Sequence, residues 1–423
     1  LTFVIGGCRT FSGNEYQYSQ GMVVSADSLA TEVGIKILRA GGNAIDAAVG
    51  VGFALSVTYL VAGNLGGGGF MVIRKADGEV FSLDYREKAP NLATRDMYLN
   101  SEGEFIDSLA QEGILASGVP GSVSGMLFAL ENHGTMSRRD VLLPSFELAQ
   151  KGFKLSEATS NSFNRYRKSF LKFPSTSKYF TKDTALFEKG ELFVQKDLAA
   201  TLLRIIKNGS DGFYKGTTAD LIAAQTNKMN GIITRDDLAN YKTIVRDVIK
   251  GKYRDYQIIS MPPPSSGGIA LVELLNILEN IDLKNIGHNS VKYIHYLTEA
   301  MRRVYADRSK YLGDSDFFPV PVDSLISKKY AQKLFSQITS SASNSADIAP
   351  GLGTGNESME TTHYSIIDRW GNAVSVTTTI NSGYGSKVVV DGAGFFLNNE
   401  MDDFSAKPGI PNQFGLLGSE ANS

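Results

Sequence analysis

Thr361-Thr362-His363-Tyr364-Ser365 follows a polar, unpatterned segment and opens a run that reads as a β-hairpin. Thr361 to Ile367 and Ala373 to Thr379 are rich in β-branched residues, which fit a pleated, half-buried surface, and Arg369-Trp370-Gly371 stands between them. A three-residue loop of this kind joins a type I turn to a left-handed residue, a conformation that Gly371 adopts without a Cβ clash. The loop places Ile367 opposite Ala373 and Thr361 opposite Thr379, so two hydroxyls meet at the open end of the ladder. Propensity alone supports only a plain hairpin, since threonine is common in strands. Cut just before Thr361, however, the same chain would carry a threonine at a new N-terminus.

Downstream, the apolar run Gly394 to Leu397 ends in Asn398-Asn399-Glu400-Met401-Asp402-Asp403-Phe404-Ser405, with three carboxylates in close succession. Such a cluster suits an ammonium ligand, a metal or a solvated turn. With four His and one Cys in the chain, a transition-metal site is poorly supplied. Upstream, Met22 to Ala26 reads as a strand, Ser28 to Ala40 as a capped helix ending at Gly41-Gly42, and Ala44 to Val57 as an apolar helix. Phe70 to Arg74 and Glu79 to Asp84 alternate around Asp77-Gly78, a second hairpin. Helical patterns dominate from Pro90 to Ile348, so strands at both ends are joined across a long helical insertion. The Gly66-Gly67-Gly68-Gly69 run lacks the Lys-Ser/Thr of a phosphate-binding loop and precedes a strand, which favours close backbone packing over a nucleotide site.

At 423 residues and 42% hydrophobic content the chain can bury a large core, and 42 Lys+Arg against 44 Asp+Glu leave little net charge. Nucleic acid is therefore not an expected partner. Basic pairs such as Arg138-Arg139 and Arg302-Arg303 read as solvated helix faces. No stretch is long and apolar enough to span a bilayer, Ala44 to Val57 being too short and carrying Asp46. Val4-Ile5-Gly6-Gly7-Cys8 looks like the end of a bacterial lipoprotein signal, with Cys8 the lipidated residue and Arg9 to Gln20 a polar tether. A single cysteine excludes an internal disulfide.

Several further blocks complete a pattern: Gly41-Gly42-Asn43-Ala44-Ile45-Asp46, Ala62-Gly63-Asn64-Leu65-Gly66 through Met71, and Leu83-Asp84-Tyr85-Arg86-Glu87. Gly118-Val119-Pro120-Gly121-Ser122, Met261-Pro262-Pro263-Pro264-Ser265-Ser266-Gly267-Gly268 and Tyr305-Ala306-Asp307-Arg308 follow. With the Thr361 and Asn398 blocks, in this order, the chain from about Gly21 onward resembles the γ-glutamyltransferase (γ-glutamyl transpeptidase) family of N-terminal-nucleophile hydrolases. The resemblance implies an α+β fold, the four-layer αββα sandwich of that superfamily with a long helical insertion. It divides the chain into a remnant and tether (1–20), a large-subunit-like segment (21–360) and the start of a small-subunit-like catalytic segment (361–423), one αββα domain after processing.

The resemblance also implies a chemistry. Thr361 Oγ attacks the carbonyl of Glu360, the amide becomes an ester, and water releases two chains. The freed α-amino group, with an unperturbed pKa near ~8, then serves as the base of its own hydroxyl. Thr361 next attacks the γ-amide carbon of glutathione or another γ-glutamyl donor, and water or an acceptor amine or peptide takes the acyl group; no cofactor or metal is implied. Thr379 matches the threonine that hydrogen-bonds the nucleophile. Arg86 matches the arginine that holds the donor α-carboxylate, a task suited to its planar fork, while Asn381, Glu400 and Asp403 match the residues on the α-amino group. Phe414 stands where the lid loop usually carries a tyrosine, and Glu360 where the residue before the cut is often Gln. The family's Pro-Leu-Ser-Ser-Met block and the Gly-Gly pair of its oxyanion hole do not occur before Ser423, which reads as a fragment of a longer gene product. The implied location is the bacterial periplasm or cell envelope. Alternative readings are a glutaryl- or cephalosporin-type acylase, a poly-γ-glutamate transferase, and a binding lipoprotein without catalysis.

Overall fold

Among the described residues six strands build the main sheet: β1 (Met22–Val24), β2 (Gly68–Arg74), β3 (Val80–Asp84), β4 (Ile244–Arg246), β5 (Thr362–Ile367) and β6 (Ala373–Thr379). The computed structural model describes residues 21–344, 348 and 361–404, so Cys8, Glu360 and Phe414 lie outside the described residues. Strand order is β1-β5-β6-β2-β3-β4 with every neighbour antiparallel. The β5–β6 hairpin has the register expected from its loop: Ile367 pairs with Ala373 and Thr362 with Thr378. Gly371 takes the left-handed position, at φ 92°. Asp368 closes the turn, accepting from the backbone N–H groups of Trp370 and Asn372 at 2.9 and 3.0 Å.

Period-two alternation buries one face of this hairpin, Thr362, Tyr364 and Ile366 pointing inward. Helix α2 (Ala44–Thr58) packs on that face, and α1 (Ser28–Arg39) packs on α2 and β1. Every residue of α2 is buried, which explains why its sequence is apolar all round instead of striped. Its Asn43 cap and Asp46 form a capping box. Asp46, a carboxylate in the core, is kept there by donors: Asn43 N–H at 2.8 Å, Thr135 Oγ1 at 2.6 Å and the N–H groups of Thr135 and Met136.

Helices fill the insertion, as expected, among them α3 (Ser122–His133), α4 (Arg138–Lys151), α5 (Gly267–Leu278) and α6 (Val291–Tyr311). Two strand pairs interrupt them, Phe153–Lys154 with Leu192–Phe193 and Ile249–Tyr253 with Tyr256–Ser260. The insertion also sends β4 back to the edge of the main sheet. Among the described residues no helix is long and apolar enough to cross a membrane. One reading is corrected here: Arg303 is not on a solvated face. It is 5% exposed and paired at 2.8 Å with Glu299, itself buried, one turn earlier on α6.

Candidate active site

Thr361 stands just ahead of β5 and Thr379 ends β6, so the hairpin register brings their side chains together on the accessible face of the sheet. Thr361 Oγ1 donates to Thr379 Oγ1 at 3.4 Å, long for a hydroxyl pair, as such contacts often are before substrate binds. Thr379 Oγ1 also accepts from the Asn381 backbone N–H at 2.9 Å. Asn381 holds a left-handed backbone, φ 71°, which asparagine tolerates better than most residues. Its Nδ2 donates at 2.8 Å to the Asn399 carbonyl, tying the threonine pair to the acidic segment.

On the other side of that tie stands a cation among acids. Arg86 Nη2 is paired with Glu400 Oε1 at 2.9 Å and with Asp403 Oδ2. Backbone contacts aim it: its N–H donates to Asp84 Oδ1 at 3.0 Å and its carbonyl accepts from Tyr241 Oη at 2.7 Å. Burial pulls the guanidinium pKa down, but Asp403 and Glu400 outweigh it and the net shift is upward. Burial pushes Glu400 up to about 7, with Arg86 working against the rise. Glu87, next in sequence, points inward and does not pair with Arg86; burial first and the Glu400 charge second drive its carboxyl well above the carboxylate range. Glu400 and Asp402 are buried, so this stretch is no solvated turn.

The glycine run positions both halves through close approach. A Cβ at Gly67 would overlap the Thr379 carbonyl oxygen, one at Gly68 the Glu87 carboxyl, and one at Gly66 the Phe396 carbonyl oxygen. Asn398 braces the same junction. Its Nδ2 donates at 2.8 Å to the carbonyls of Gly66 and Gly118, and its Oδ1 accepts from Gly118 N–H at 2.8 Å and Glu400 N–H at 3.0 Å. Among the described residues no three His, Cys, Asp or Glu side chains are arranged to hold a metal ion.

The family described as Gamma-glutamyltranspeptidase matches residues 30–423. The chain belongs to this family. Within it, the glutathione hydrolase proenzyme of Escherichia coli strain K12 is 49% identical over 406 residues, covering 96% of this chain and 70% of that protein. The crystal structure of Helicobacter pylori gamma-glutamyltranspeptidase superposes with a TM-score of 0.77 at 48% identity, covering 80% of this chain and 98% of that one. A cephalosporin acylase from Bacillus halodurans superposes with a TM-score of 0.80 at 25% identity, over 95% of this chain and 74% of that one. The fold is thus the α+β fold that transpeptidases and acylases of the N-terminal-nucleophile type share, and fold alone does not choose a substrate.

In this γ-glutamyltranspeptidase family member, the structure gives a role to residues that stand in the motifs but that motif reading left without one. Asn398, Asn399 and Asn64 are braces, Asn64 Nδ2 donating to the Thr379 carbonyl at 2.9 Å. Their signal was present as amides next to glycines and carboxylates, but nothing local distinguishes a brace from a turn residue.

Proposed function

We propose that this chain is a γ-glutamyltransferase and glutathione hydrolase precursor that cuts itself between Glu360 and Thr361 and then uses Thr361 as its nucleophile. One observation carries the reading: a threonine hydroxyl pair and an Arg86–Glu400–Asp403 charge cluster are joined through Asn381 and Asn399. The cluster has one cation for an α-carboxylate and two anions for an α-ammonium, the charges of a γ-glutamyl head group. Arg86 pairs with both carboxylates; a zwitterion can exchange into these pairs without leaving a buried charge alone.

In processing, the Thr361 Oγ–carbonyl bond forms, the Glu360 C–N bond breaks, and the proton moves from oxygen to the departing nitrogen. Water then cleaves the ester and leaves a free Thr361 amine. In turnover, that amine takes the hydroxyl proton, Oγ bonds to the γ-carbonyl carbon, and the protonated amine of the donor leaves. Water or an acceptor amine or peptide then attacks the ester carbonyl, the acyl–Oγ bond breaks, and the attacking group's proton passes through the Thr361 amine back to Oγ. Thr379 and the Asn381 N–H hold the hydroxyl in place. A lipid anchor at Cys8 and a place at the bacterial cell envelope belong to this reading and rest on the sequence alone.

The acylase fold match makes a diacid donor the second reading, but a plain glutaryl group has no ammonium to satisfy Glu400 and Asp403. Denaturing mass spectrometry of the full-length product, beside Thr361→Ala, tests the nucleophile: two fragments meeting at Glu360/Thr361 are expected in wild type only. Turnover of γ-glutamyl anilide at least tenfold above glutaryl anilide is expected next. An unsplit wild-type chain, or preference for the glutaryl compound, would reject the proposal.

A further inference from the structure

The turn that follows β6 is left-handed at Asn381, Tyr384 (φ 62°), Gly385 (φ 51°) and Lys387 (φ 66°). Asparagine and glycine suit that region; lysine does not, so its side chain must supply what its backbone loses. Lys387 is 5% exposed. Its Nζ donates to the Gly385 carbonyl at 2.7 Å and to Ser382 Oγ at 3.1 Å, and lies 5.5 Å from the centre of the Tyr166 ring. A buried ammonium is costly unless it is hydrogen-bonded, and an apolar side chain would fill the same space more cheaply.

The ammonium has donors only, so Ser382 Oγ must accept from it, and the single serine proton is left to point elsewhere. Two acceptors lie within its reach, Asn399 Oδ1 at 3.1 Å and the Gly385 carbonyl at 3.4 Å; the nearer one, Asn399 Oδ1, also accepts the Ser382 backbone N–H at 2.9 Å. That fixes which end of the Asn399 amide is oxygen, with Nδ2 turned to the Gln111 carbonyl at 3.1 Å. The Asn399 carbonyl holds Asn381, whose N–H holds Thr379 beside Thr361, and the residue after Asn399 is Glu400.

We propose that Lys387 is a positioning residue whose buried ammonium orients Ser382 and Asn399 and so sets the Asn381–Thr379 contact at the Thr361 nucleophile. The inference rests on Thr361 being that nucleophile. Three variants of the full-length product separate the ammonium from the fold. Lys387→Gly gives the left-handed position the residue that suits it and removes the charge, Lys387→Met keeps much of the apolar stem, and Lys387→Arg keeps a cation. The rate of splitting at Glu360/Thr361 is read by mass spectrometry without added substrate, followed by kcat and KM of the split enzymes for γ-glutamyl anilide.

Expected are at least tenfold slower splitting and at least tenfold lower kcat in the Gly and Met variants, KM within twofold, and partial recovery in Lys387→Arg. A melting temperature of Lys387→Gly near wild type would accompany these losses. Splitting and kcat within twofold of wild type in the Gly variant would overturn the proposal, and that variant decides the matter if the Met one fails to fold. Wild type that splits yet ignores the anilide would sink the donor assignment while Lys387 is still judged on splitting. Wild type that does not split would overturn both.

Discussion

Glu400 sits between two demands. In its proposed role as partner for a donor ammonium it must be ionised, yet burial brings its pKa up to about 7, against the pull of Arg86. The Glu87 carboxyl beside it is raised as well, by burial first and by the Glu400 charge second. Glu400 therefore holds a proton below about pH 7 that binding of the proposed γ-glutamyl donor must expel. KM for γ-glutamyl anilide is expected to be flat above about pH 7.5 and to climb toward ~10-fold per pH unit below about pH 7, the limit for release of one proton. Glu400→Gln should have a high KM without that slope. A wild-type KM that stays flat down to pH 5.5 would contradict the assignment. At this scale the sequence showed which residue types gather, through motifs, but not their state. Arg86 pairs with Glu400 across 314 positions of chain, and no local pattern tells whether such an acid is solvated or buried. The same gap misplaced Arg303, whose buried partner Glu299 lies one helical turn away.

Elements were legible where the signal was local. The β5–β6 register followed from loop length and Gly371, because a three-residue turn leaves one pairing that keeps Tyr364 and Ile366 on the core face. The glycine run was legible as close packing for the same reason: its neighbours had nothing else to offer a phosphate. Strand β4 was not, since Ile244–Arg246 is a short edge strand whose residues are only partly buried or exposed, leaving no alternation to detect. Gly66 makes the packing argument testable. Its carbonyl accepts from Asn398 N–H and Nδ2, and a Cβ there would meet the Phe396 carbonyl oxygen, a backbone atom that cannot swing aside. Gly66→Ala, made in the uncleaved Thr361→Ala chain, should lower stability by roughly 1–3 kcal/mol, the usual cost of overpacking. A shift in denaturant midpoint at unchanged slope measures it, and an unshifted midpoint would mean that the β2 approach is looser than its geometry.

Across the whole molecule, the order β1-β5-β6-β2-β3-β4 sets what a cut before Thr361 can do. Four of the six strands precede the cut and two follow it, yet the two that follow lie between β1 and β2. Removing them would break the β1–β5 ladder and the longer β6–β2 ladder, which runs from Ala373–Arg74 to Thr379–Gly68. It would also uncover α2, whose buried length packs on both strands, and strip Asp368 from the Ala44 N–H at 2.9 Å. Thr176 Oγ1 would lose the Lys387 carbonyl at 2.7 Å. Backbone cleavage removes one covalent bond and none of these contacts, so processing should change what the chain can do without releasing either piece. The expected outcome is a single peak on native size-exclusion chromatography that contains both fragments after complete splitting, resolved into two only in denaturant. Fragments that separate under native conditions would show that the sheet does not hold the halves together, and that the active site must be assembled by something other than the strand order.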